Sequence, residues 1–125
     1  MTGVLVDTSV WVEHFHKGSS ELITLLGQDR VCTHPMVLGE LACGTPPERV
    51  RTLADLGSLR HTEQATVKEV MDFVDRERLY GFGCGLIDIV LLTSALMSPG
   101  ISLWTLDKRL ATLAKRFDIL YGKTH

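Results

Sequence analysis

Short apolar runs and longer stretches of helical spacing take turns along the chain. Val4-Leu5-Val6 is β-branched and apolar and stops at Asp7-Thr8-Ser9, which predicts a buried strand ending at an acid. Val10 to Phe15 then suits a short helix, so Asp7 sits where strand becomes helix N-terminus. Ser19 or Ser20 caps a second helix with Leu22, Ile23, Leu25 and Leu26 as its stripe and Gly27 near its end. Val31 to His34 reads as a short strand, and Pro35 opens the helix Met36 to Cys43, which carries Glu40 beside Met36, Val37 and Cys43. Gly44-Thr45-Pro46-Pro47 breaks the chain before a helix beginning at Pro47. A weakly marked strand falls at Ser58 to His61. A long helix follows from Thr62 or Glu63 to Leu79, with Val67, Val70, Met71 and Val74 as its buried side. Gly81 to Gly85 forms a glycine-rich approach to a helix in which Asp88 lies between two isoleucines, ended by Pro99-Gly100. Ile101 to Thr105 is a further strand, and Leu106-Asp107-Lys108-Arg109-Leu110 repeats the strand, acid, helix arrangement of Asp7. Ile119-Leu120-Tyr121 supplies the last strand. Strand and helix alternating in this way predict an α/β fold, a three-layer α/β/α sandwich on a mainly parallel sheet.

The length of 125 residues and the 45% hydrophobic content fit one domain, residues 1–125, with a core that needs no disulfide or metal staple. The longest apolar stretches are too short or too interrupted to span a bilayer, which argues for no membrane role. Met1-Thr2-Gly3 offers no signal peptide. Cys32, Cys43 and Cys84 have no framework spacing, read as small buried hydrophobes and suit a reducing cytoplasm. The net charge of -2 gives no overall basic signature for nucleic acid, yet acids gathered around cations would be neutralised locally. The glycines at 81–85 lack the lysine and spacing of a phosphate loop.

Four acids carry the candidate chemistry. Each has an ordinary explanation: Asp7 and Asp107 as helix caps, Glu40 as a helical glutamate, Asp88 as an awkward buried aspartate. Brought together they would repel one another unless cations were present. Oxygen ligands alone suit Mg²⁺ or Mn²⁺, as one ion or two, and such a site can polarise a phosphate, activate water and stabilise a departing oxygen. That chemistry is phosphodiester hydrolysis.

VDTSVWVEHF with Asp7, LGEL with Glu40, GLIDIVLLTSAL with Asp88 and LWTLDKRL with Asp107 resemble, in order, the motifs of PIN-domain ribonucleases. The resemblance is greatest to the VapC-type toxins of prokaryotic toxin–antitoxin pairs and covers essentially the whole chain. It implies a Mg²⁺- or Mn²⁺-dependent endoribonuclease, an RNA substrate, a VapB-type antitoxin that covers the active site, and a homodimer. Asp7, Glu40, Asp88 and Asp107 match the family's metal-site acids, and Ser9 and Thr105 match the polar positions beside them. Bulky Ile89, Val90 and Leu91 stand where small residues are common in relatives, which bears on local packing.

Lys108 and Arg109 are candidates for RNA backbone contact, or else a solvated first turn. Trp11 and Phe15, at i and i+4, form either core or part of an antitoxin groove. His14, His16, Cys32 and His34 lack the paired spacing of a zinc site. Two rivals remain: a non-catalytic PIN-fold binding module, and a structure-specific nuclease acting on DNA, since only contacts to the 2′-hydroxyl separate the two backbones.

Overall fold

A computed structural model describes residues 2–122, so Met1 and residues 123–125 lie outside the described residues. Four strands, β1 (Gly3–Val6), β2 (Val31–Thr33), β3 (Arg60–His61) and β4 (Ile101–Trp104), form a sheet in the order β3-β2-β1-β4. Every pairing is parallel, and β1 lies in register with β4 from Gly3 opposite Ile101 to Val6 opposite Trp104. All four residues of β1 are buried, which requires helices on both faces of the sheet. Those helices are α1 (Thr8–Lys17), α2 (Ser20–Gly27), α3 (Pro35–Ala42), α4 (Arg49–Gly57), α5 (Val67–Glu77), α6 (Leu86–Leu96) and α7 (Lys108–Arg116). The α/β sandwich with a parallel sheet is the architecture the sequence predicts.

Strand order determines where a site can form. The chain steps outward from β1 to β2 to β3, then returns to place β4 on the other side of β1. The connections after β1 and β4 therefore part in opposite directions and leave a crevice at the strands' carboxyl ends, where open α/β sheets hold ligands. Asp7 follows β1 directly, and Thr105 follows β4.

α6 runs through the middle of this packing. Its residues from Ile89 to Ala95 are all buried, so this stretch has no solvent stripe, and its two polar members, Thr93 and Ser94, are hydrogen-bonded inside. Ile89, Val90 and Leu91 are each no more than 5% exposed, so their bulk is filled core.

Several boundaries and faces differ from expectation. α5 begins at Val67, because Thr66 and Glu69 form a reciprocal capping box that fixes its first turn. Residues 62–66 instead run as an extended strap, tied by Thr62 N–H to the Thr33 carbonyl and by Glu63 and Ala65 N–H to Ser98 and Ser94. With that start, Val70 and Phe73 face the core, while Val67 and Met71 are exposed. The strand foreseen at Ile119–Tyr121 is reduced to one parallel bridge, Leu103 with Leu120, because Asp118 and Gly122 take positive φ on either side. Cys32 is buried as expected, but Cys43 is exposed and Cys84 is intermediate.

Candidate active site

Asp7 occupies the N-cap position of α1 in extended conformation, yet its side chain makes no cap bond. Its Oδ2 instead accepts hydrogen bonds from Ser9 Oγ and Thr105 Oγ1, both at 2.7 Å, and the residue is only 5% exposed. The cap explanation of Asp7 therefore fails. Two hydroxyls hold the carboxylate away from the helix amides and toward the crevice between β1 and β4.

The same hydroxyls extend the network into the next turn. Ser9 Oγ accepts Leu106 N–H at 3.0 Å, and Thr105 Oγ1 accepts Asp107 N–H at 3.0 Å. Asp107 does cap its helix: Oδ1 accepts Arg109 and Leu110 N–H at 2.9 and 3.0 Å. Its second oxygen has no hydrogen-bond partner among the described residues, so a capping role leaves one carboxylate oxygen open.

Glu40 enters from α3, where Thr8 Oγ1 donates to its Oε1 at 2.7 Å. It is half-buried, but Met36 and Cys43 are exposed, so the expected apolar stripe around it is absent; only Val37 and Leu41 on α3 are buried. Thr8 is the contact that sequence reasoning missed. Its position directly after Asp7 was the available signal, since one helix start can present Asp7 and Thr8 to different partners.

Asp88, in the first turn of α6, is half-buried and not sealed between its isoleucines. Its carboxyl is pushed above the ordinary carboxylate value, first by burial, then by the negative charge of Asp7 and Asp107. The Gly85 backbone opposes the shift, and Glu40 adds to it. Asp7, Asp107 and Glu40 thus all lie near enough to act on Asp88. No lysine or arginine forms a salt bridge with any of them among the described residues.

Among the described residues no three acidic, histidine or cysteine side chains enclose a common point as they stand. The hydrogen bonds give the reason: like charges turn apart, Asp7 to Ser9 and Thr105, Glu40 to Thr8, and Asp107 to the amides of α7. The donor set fits a hard divalent cation nonetheless. It consists of carboxylate and hydroxyl oxygens only, and it includes a buried carboxylate without a basic partner.

The remaining candidates divide. Trp11 is core at 2% exposure, stacks on Phe15 at 6.1 Å between ring centroids, and is not among the residues lining the groove beside it. Phe15 does, with Val12, His16, Leu41 and Pro46, around a groove of about 360 Å³ that reaches Thr8 and Glu40. Lys108 is exposed. Arg109 is exposed but engaged, its Nη1 donating to the Gly83 carbonyl at 3.2 Å and pinning the glycine-rich loop near the acids. That loop brings Cys84 close enough for Asp88 and Asp107 to reinforce the upward push that burial gives its thiol.

Comparison with known proteins agrees with this geometry. No family model matches the chain. Ribonuclease VapC32 from two strains of Mycobacterium tuberculosis, CDC 1551 / Oshkosh and H37Rv, is 44% identical over 107 residues, covering 86% of this chain and 86% of the relative. A chain of the crystal structure of DNA-bound VapBC from Salmonella typhimurium superposes with a TM-score of 0.61 at 17% identity, over 95% of this chain and 93% of that one, and shares its fold. The extent of this identity over most of both chains establishes that the chain belongs to the VapC ribonucleases, a PIN-domain family.

Proposed function

We propose that this protein is a Mg²⁺- or Mn²⁺-dependent endoribonuclease, the toxin of a VapBC-type pair, which hydrolyses RNA phosphodiester bonds and inhibits translation and growth when free. The observation that carries this reading is the hydroxyl network at the β1/β4 crevice. Thr105 and Ser9 on Asp7, and Thr8 on Glu40, orient acids from distant parts of the chain, and none of the four is in a salt bridge among the described residues.

Asp7 and Asp88 are the principal ligands in this proposal, with Glu40 and the open oxygen of Asp107 holding waters or a second ion. A divalent ion, if held there, would supply Lewis acidity to the phosphate and a more acidic water. Ser9 and Thr105 fix the Asp7 carboxylate, and their hydrogen bonds to the backbone of residues 106 and 107 keep Asp107 at the same edge. No side-chain nucleophile is needed. Lys108, exposed at the first turn of α7, meets the RNA backbone without reading sequence. Single-stranded loops are the fitting substrates, because their bases can be splayed and recognised. A VapB-type antitoxin segment in the groove lined by Phe15 would lie against Thr8 and Glu40 and so cover the acids. A homodimer is part of the same reading.

The test uses purified protein freed of any partner, a labelled RNA pool, matching single-stranded DNA, and Mn²⁺ or EDTA. RNA should be cut only with metal, and Asp7→Asn and Asp88→Asn should each lose at least about 100-fold, the scale of removing one group that stabilises a transition state. Cutting of DNA in preference to RNA would shift the assignment to a DNA nuclease. Equal cutting by wild type and variants would mean that the acids are not the site.

A further inference from the structure

His34 is the last residue before α3 and is 2% exposed, a buried imidazole that the proposed chemistry does not use. Its two nitrogens have different partners. Nδ1 accepts the Met36 N–H at 3.0 Å, capping α3, which requires the neutral ring to carry its proton on Nε2. Nε2 lies 3.1 Å from Ser94 Oγ on α6 and therefore donates to it. Burial, with the charge of His61 behind it, lowers the imidazole's pKa and keeps the ring in this neutral form. Ser94 is fully buried and also accepts Ala65 N–H at 3.0 Å, so the strap at 62–66 holds it from the other side.

α3 carries Glu40 and α6 carries Asp88. Glu40 lies six residues along α3 from His34, and Asp88 six residues back along α6 from Ser94, each about 9 Å at about 1.5 Å per residue. The two helices pack against each other. The imidazole joins the start of α3 to the later part of α6, while Glu40 and Asp88 sit near enough at the opposite ends for one to act on the other. The clamp thus ties the first turn of α3 to the later part of α6, about 9 Å along each helix from the turn that carries its acid.

We propose that His34 is a positioning residue: by bridging Met36 N–H and Ser94 Oγ it sets the register of α3 against α6 and so the separation of Glu40 and Asp88. This rests on the function proposed above for the acids. Sliding one helix on the other by a fraction of a turn would displace one carboxylate relative to the other, and misplacement of about 1 Å in a site of this kind costs up to about 100-fold in rate.

Two replacements separate a clamp from a plain helix cap. Asparagine keeps an acceptor near the Nδ1 position but cannot reach Ser94; glutamine reaches toward Ser94 but gives up the cap. His34→Asn, His34→Gln and Ser94→Ala should each bind Mn²⁺ about tenfold more weakly by electron paramagnetic resonance on full-length protein, with kcat for RNA reduced and KM unchanged. The double variant His34→Asn/Ser94→Ala should be no worse than its weaker parent, since both remove one bridge. A His34→Asn protein equal to wild type in Mn²⁺ affinity and kcat would leave only a cap and overturn the proposal. A third readout needs neither metal nor activity. In metal-free Ser94→Ala, amide hydrogen exchange across α3 should accelerate relative to β1 and β4, although the substitution lies on α6. If wild type cuts no RNA, the functional reading fails, and this exchange experiment still decides the clamp: uniform acceleration, or none, refutes it.

Discussion

At the residue scale the informative contrast is between Asp7 and Asp107. Both follow a strand and precede a helix, and both look like caps in sequence, yet only Asp107 bonds to helix amides. The difference is Thr105, whose hydroxyl reaches across 98 positions of sequence to Asp7 Oδ2, with Ser9 beside it. Thr105→Val keeps the shape and removes a donor to a buried carboxylate. In EDTA it should lower unfolding free energy by about 1.5–3 kcal/mol in urea titrations, and it should raise the Mn²⁺ concentration needed for half-maximal cleavage. Ser9 is half-buried, so Ser9→Ala should cost less than Thr105→Val; the reverse order would mean that solvent replaces Thr105 more readily than Ser9. The DTS sequence made Asp7 visible as a candidate, but no local pattern could announce a partner from another strand. Motif resemblance identified Thr105, and only the register of β1 with β4 explains why it belongs there.

At the scale of elements, Asp107 caps α7 and, in the proposed site, offers its open oxygen to metal; one substitution can divide the two roles. Asp107→Ala removes both the cap of α7 and the carboxylate, and should destabilise by about 1 kcal/mol and abolish activity. Asp107→Ser retains a capping oxygen, so thermal melting should stay near wild type while metal-dependent cleavage is still lost. If Asp107→Ser cuts RNA normally, Asp107 is a cap and nothing more. How far elements could be read in advance follows the same division between local and distant causes. The α3 and α7 starts were legible from Pro35 and Asp107, because these are matters of adjacent residues, whereas α1 begins at Thr8, ahead of the expected Val10, and has no side-chain cap. The α5 start was written in the sequence as Thr66 and Glu69, but Thr62 and Glu63 have similar chemistry, and only the attachment of residues 62–66 to Ser94, Ser98 and Thr33 excludes them from the helix. The strand order, and with it the crevice, depends on pairing between segments up to about a hundred residues apart and left no local mark.

At the scale of the whole molecule, two titrating groups should give metal-free stability an unusual pH profile. His34 has its pKa lowered from 6.5, so below that value the unfolded chain binds a proton that the native protein refuses. Its stabilising effect is present above 6.5 and declines as pH falls toward the lowered native value. Asp88 has its pKa raised from 3.8, so between 3.8 and the raised value the native protein binds more protons than the unfolded chain, and its effect on stability worsens as pH rises through that window. The two oppose each other on the acid side, and variants separate them. His34→Asn should flatten the loss below 6.5, while metal-free Asp88→Asn should be more stable than wild type at neutral pH, having lost a carboxylate that burial and three neighbouring acids disfavour. A divalent cation should reverse that ranking. At about 100 times its dissociation constant Mn²⁺ would add about 2.7 kcal/mol to the wild type, roughly 10 °C in melting temperature, and much less to Asp88→Asn. Scanning calorimetry of both proteins, with EDTA and with Mn²⁺, decides the matter: an Asp88→Asn protein less stable than wild type without metal would show that the four acids do not repel at this edge, because removing one must relieve the others if they share it.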